Sequence, residues 1–124
     1  MREIPPQLQN QINQFRQLQQ QLQVTTAQRV QMETRLREVE VTLEELEKAE
    51  EDAPIYKSIG SLLIRAKGKE GVHKELQDQK ETLAIRVKTL EKQEKTLAER
   101  YERMQQQITQ ALGGTGLETG VGAG

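Results

Sequence analysis

Cysteine is absent from the 124-residue chain, and with it go disulfide staples, thiol catalysis and thiolate metal sites. Tryptophan is absent too, and one Phe and two Tyr supply every aromatic side chain. A compact core needs bulky apolar groups to offset the chain entropy lost on folding, so a thick globular interior is excluded. Hydrophobic residues of all kinds make up only 34% of the chain. Charges or glutamines interrupt every apolar run, which leaves neither a signal-peptide core nor a membrane span. An excess of one charge sign is also missing, with 18 basic residues against 19 acidic ones. A nucleic-acid binder would carry a basic stripe, whereas Lys and Arg here interleave with Glu. Neither a polynucleotide nor a membrane is an expected partner, and a soluble cytoplasmic protein is the expectation.

What the chain does have is periodicity. Proline is scarce and well placed: Pro5 and Pro6 suit a helix entry, and Pro54 suits a helix end. Between them, Phe15, Leu18, Leu22, Met32, Leu36, Val39, Leu43 and Leu46 follow steps of three and four. Thr25, Arg29 and Glu50 fall on the same register as polar exceptions. Such spacing predicts a coiled-coil helix over residues 6–52, roughly 70 Å long at about 1.5 Å per residue. A second seam runs through Leu76, Leu83, Leu90, Leu97, Met104 and Ala111, with Val87, Tyr101 and Ile108 between them and Lys80 and Glu94 as polar exceptions. It predicts a second helix over residues 72–112.

The linking segment is different. Ile55-Tyr56-Lys57-Ser58-Ile59 and Leu62-Leu63-Ile64-Arg65-Ala66 flank Gly60-Ser61. Two short runs of branched and aromatic residues around a Gly-containing turn predict a β-hairpin over residues 55–66. Residues 113–124 are Gly-rich with little to bury, and a disordered tail is expected there. The predicted fold is mainly α: a long antiparallel two-helix coiled coil joined by one β-hairpin, a single domain over residues 1–112. Setting Leu46 opposite Leu83 places Leu43 by Val87, Leu22 by Ile108 and Glu50 by Lys80. That alignment would leave Leu8, Ile12 and Phe15 facing the Gly-rich tail, short of intramolecular partners.

A lone two-stranded hairpin is marginal in water, and this one carries apolar residues on both faces. Ile55, Ile59, Leu62 and Ile64 fall on one face, Tyr56 and Leu63 on the other. Unpaired strand edges invite further strands. Ile55, Tyr56, Ile59, Leu62 and Ile64 are therefore assigned to oligomerisation; a local cap could not bury so much apolar surface. At the other end, Ile4, Leu8, Ile12, Phe15, Ile108 and Leu112 either finish the coil or offer apolar groups to a partner.

The segment Asp52-Ala53-Pro54-Ile55-Tyr56-Lys57, with Gly60 and the strand Leu62-Leu63-Ile64-Arg65, resembles the beta-class subunits of archaeal prefoldin. So does the Gln-rich start from Pro5-Pro6-Gln7-Leu8 to Gln19-Gln20, and one central hairpin is the mark of the beta class. The resemblance implies a hexamer of two alpha and four beta subunits whose hairpins pool into a β-barrel platform. It implies ATP-independent capture of unfolded client proteins at the coiled-coil tips, which favours client contact for Ile4, Leu8, Ile12, Phe15, Ile108 and Leu112. It also implies delivery to a group II chaperonin, without nucleotide or other cofactor.

No enzyme is expected. His73 stands alone, with no second His and no Cys to complete a metal site. The glycines near residue 70 match no phosphate-cradling pattern. Arg29, Glu50, Lys80 and Glu94 read as register control or as side chains snorkelling to solvent. The competing function is a structural tether with one dedicated partner; an RNA-contacting arm would need the missing basic stripe.

Overall fold

The structure, a computed structural model, describes residues 4–113. Helix α1 (Pro6–Lys48) leads into strand β1 (Tyr56–Ile59), strand β2 (Leu62–Arg65) and helix α2 (Lys69–Gly113). The strands form one antiparallel pair in which Ile59 faces Leu62 and Tyr56 faces Arg65. Two compact units divide the chain: a hairpin unit, Arg29–Thr89, and a terminal unit formed by the residues on either side of it.

Local chemistry explains where the elements begin and end. Pro6 is the first residue of α1, and the Gln9 N–H donates to the Pro5 carbonyl at 3.0 Å. A proline costs nothing there, because the first turn has no use for its missing donor. The first helix was predicted to reach residue 52, but it stops at Lys48. Ala49 N–H closes on the Leu46 carbonyl at 3.1 Å, and a further turn links Ala53 N–H to the Glu50 carbonyl. Glu50, Glu51 and Asp52 would crowd the negative end of the helix dipole, and Pro54 disfavours helical backbone at Ala53. The Lys69 ammonium instead donates to the carbonyls of Glu47 at 3.3 Å and Ala49 at 2.7 Å. Those are carbonyls that an ending helix leaves without intrahelical partners.

Helix α2 begins at Lys69, three residues before the predicted start at residue 72. Gly68 has φ of 153°, and its carbonyl accepts from the Val72 N–H at 3.2 Å. Gly68 thus opens the helix from a backbone conformation that other residues rarely adopt. At its far end α2 takes in Gly113, the first residue of the predicted tail; the rest of that tail lies outside the described residues.

In each unit the α1 and α2 segments run antiparallel, with the predicted seams facing inward. Leu18 is buried in the terminal unit; Leu43, Leu46 and Val87 are buried in the hairpin unit. The predicted pairing of the two seams needs correction. In the hairpin unit Lys80 lies 4.0 Å from Glu40, not beside Glu50, and His73 lies 3.8 Å from Glu47. Glu50 lies beyond the end of α1 and is exposed. In the terminal unit Phe15 stacks on Tyr101, with ring centroids 4.6 Å apart, where the predicted alignment set Leu22 against Ile108. The shorter α1 and the earlier α2 account for part of the change: both ends of the link moved, and in each unit the α1 positions meet α2 residues closer to the hairpin.

Candidate functional site

Hydrogen-bond geometry fixes the hairpin. Gly60 has φ of 58°, while Ser61 is not in the positive-φ region. Positive φ at the first turn residue alone is the type II′ pattern, whose twist matches that of the flanking strands. The Ala66 N–H donates to the Ile55 carbonyl at 2.8 Å and so extends the ladder beyond both strands. This register puts Ile59, Leu62, Lys57 and Ile64 on one face and Tyr56, Ser58, Leu63 and Arg65 on the other. The two faces match the alternation predicted from sequence.

Both faces are open. Tyr56, Ile59, Leu62 and Ile64 are exposed, and Leu63 is 74% exposed; Ile55 is half-buried. An apolar side chain left in water forgoes about 1.5–3 kcal/mol relative to full burial. An ion pair ties the element to its own helices, and a lysine joins those helices beside it. Lys57 pairs with Glu75 of α2, and Lys69 ties the first turn of α2 to the end of α1. A groove lined by Leu46, Ala49, Ile55, Ile59, Val72 and Leu76 separates β1 from the helices.

The second cluster lies in the terminal unit, where the first turns of α1 and the last turns of α2 belong together. Ile4 is 40% exposed. Leu8, however, is only 6% exposed, and Ile12, Phe15, Ile108 and Leu112 are half-buried. The expectation that Leu8, Ile12 and Phe15 lack partners within the chain is therefore corrected: the observed pairing brings α2 alongside them, and Tyr101 covers Phe15. Sequence reasoning missed that stack, although the signal was present. The only Phe and one of the two Tyr sit on opposite seams, and pairing them would have given the observed register.

Two of the polar seam residues, Arg29 and Glu94, have side-chain partners within their units. The Arg29 guanidinium donates to Glu33 at 2.8 Å, and the Thr26 hydroxyl donates to Glu94 at 2.5 Å. Thr26 was not singled out from sequence. Among the described residues, no cluster of His, Asp or Glu could hold a metal ion, and no helix is long and apolar enough to cross a membrane.

The comparisons with known proteins agree with this architecture. A family model described as prefoldin subunit matches residues 9–115. The prefoldin subunit beta of Archaeoglobus fulgidus is 49% identical over 90% of this chain and 96% of its own length. That of Pyrobaculum islandicum is 42% identical over 90% of this chain and 89% of its own. The crystal structure of the prefoldin beta subunit from Thermococcus strain KS-1 superposes with a TM-score of 0.79 at 38% identity, covering 90% of this chain and 97% of that one. Two long helices joined by a single hairpin, matched to these relatives along nearly their whole length, place the chain in the prefoldin family among its beta subunits.

Proposed function

We propose that the chain is one subunit of an ATP-independent holdase, built as a hexamer of two alpha and four beta chains. Its hairpin pools with those of its neighbours, through Ile55, Tyr56, Ile59, Leu62 and Ile64, into a shared β-barrel. The observation that carries this reading is the hairpin: an apolar two-stranded element, open on both faces, of a kind that is marginal in water by itself. Client proteins in non-native states are held by Ile4, Leu8, Ile12, Phe15, Ile108 and Leu112 and passed to a group II chaperonin. Because Leu8 and Phe15 are covered within the chain, client binding there requires the helix ends to part, and Ile4 is the residue offered first. Helix ends are the least costly places to open, since few contacts hold them.

The test is light scattering of a chemically denatured client diluted into the chain assembled with an alpha partner, without nucleotide. Suppressed aggregation at a near-stoichiometric ratio of complex is the expected result. Unchanged aggregation, with assembly verified, would instead favour a tether that serves one dedicated partner.

A further inference from the structure

The end of the terminal unit is rich in amides and poor in charge. From Ile4 to Phe15, α1 and its entry carry no charged side chain, and the first is Arg16. From Gly113 back to Met104, α2 carries none either, and the first is Arg103. The Phe15–Tyr101 stack stands beside these first charges; on α1 Arg16 is a lone charge, and the uncharged, Gln-rich pattern resumes from Gln17 to Gln28. Inward of the stack, α2 returns to alternating Glu with Lys or Arg as far as Leu90. In sequence, Arg2 and Glu3 precede the neutral stretch as an opposite-charge pair outside the described residues.

Amides take the place of charges. Gln7, Gln9, Asn10, Asn13 and Gln14 of α1 are exposed, as are Gln105, Gln106, Gln107 and Gln110 of α2. Solubility alone would be met as well by Glu and Lys, which the chain uses freely elsewhere and which are better helix formers than Asn. Among the described residues, no Gln or Asn side chain hydrogen-bonds within the chain. Each therefore keeps an N–H donor pair and a carbonyl acceptor for another molecule.

We infer that this end reads the backbone of an extended, unfolded polypeptide, and does so without regard to the client's charge. The inference deepens the holdase reading and rests on it. Every residue of an unfolded client presents one N–H and one carbonyl whatever its side chain. A primary amide complements both, so amides flanking Ile4 and the seam edge pair with any client segment whose apolar side chains lie against them. A charged rim would select clients of opposite sign and lose its grip as salt rises. A neutral rim does neither.

The experiment uses the chain assembled with its alpha partner and two denatured clients of similar size, one strongly acidic and one strongly basic. Affinity is read by fluorescence anisotropy at low and at high salt. The native complex should bind both within about threefold, and salt should change either value by less than about threefold, because no net charge is there to screen. Gln7→Glu, Gln14→Glu, Gln106→Glu and Gln107→Glu together, with assembly and helix content verified, should favour the basic client by about tenfold at low salt. The same four sites changed to Lys should favour the acidic client, and high salt should erase both preferences. Glu and Lys variants that bind both clients as the native complex does would overturn the inference and leave the amides as mere solvation. So would a native complex that prefers one client by about tenfold and loses the preference in salt. A native complex that holds neither client would sink the holdase reading, and this one with it.

Discussion

Phe15 and Tyr101 show how much one pair can decide in a chain this poor in aromatics. Their stack joins α1 to α2 in the terminal unit, beside Arg16 and Arg103, the first charged residue of each helix counted from its free end. Phe15→Ala should destabilise that unit by about 1.5 kcal/mol, combining a lost aromatic pair with a partly exposed cavity. Chemical denaturation followed by circular dichroism would measure it, against Gln14→Ala, which should change stability by less than about 0.5 kcal/mol. Equal effects from both variants would show that the stack is a bystander. Lys69 acts by a different route: its ammonium ends α1 by occupying the last carbonyls, while its backbone begins α2. One side chain thus joins the two helices where the hairpin departs.

At the scale of elements, the hairpin is the part whose composition is least explained by its own surroundings. Five of its apolar side chains face solvent, while the Lys57–Glu75 ion pair ties β1 to α2. Ile59→Asp with Ile64→Asp should leave both helices folded and abolish assembly with the alpha partner. On a sizing column the double variant should elute as smaller species at every concentration where the native complex is intact, because charges on that face would be buried unpaired. An unchanged elution volume would remove the assembly role from this face. The helices contrast with the hairpin: each residue of their seams is at least half-covered within its own unit, apart from Glu50 beyond the end of α1.

For the whole molecule, the proposed division of labour predicts that assembly and client binding separate. Deleting Met1 to Phe15 removes Ile4, Leu8 and much of the amide-rich stretch but none of the hairpin. The shortened chain should still form the full-size complex with its alpha partner and should suppress client aggregation at least about fivefold less well, since several weak contacts are lost together. Sizing and light scattering on one preparation read both. Loss of the complex would mean that assembly and client sites had been assigned to the wrong ends.

Much of this was legible in the residues. Two seams, a Gly60 turn and a scarcity of bulky apolar side chains determine two long helices and one hairpin, because heptad spacing and turn stereochemistry are local properties. The same alternation assigned Ile59, Leu62 and Ile64 to one face and Leu63 to the other. Pairing was not local. Heptads repeat, so Leu46 can be set against several α2 residues with equal apolar match, and only the ends of the link choose among them. Those ends depended on Lys69 reaching the carbonyls of Glu47 and Ala49, about twenty positions away, and on Gly68 opening α2. Once they shift the register, Leu8 turns from an open apolar residue into a buried one, and Ile4 and the amides become what the terminal unit shows to a partner. The sequence by itself determined which side chains form seams and faces; the tertiary structure decided which of them meet, because meeting is a property of two segments together.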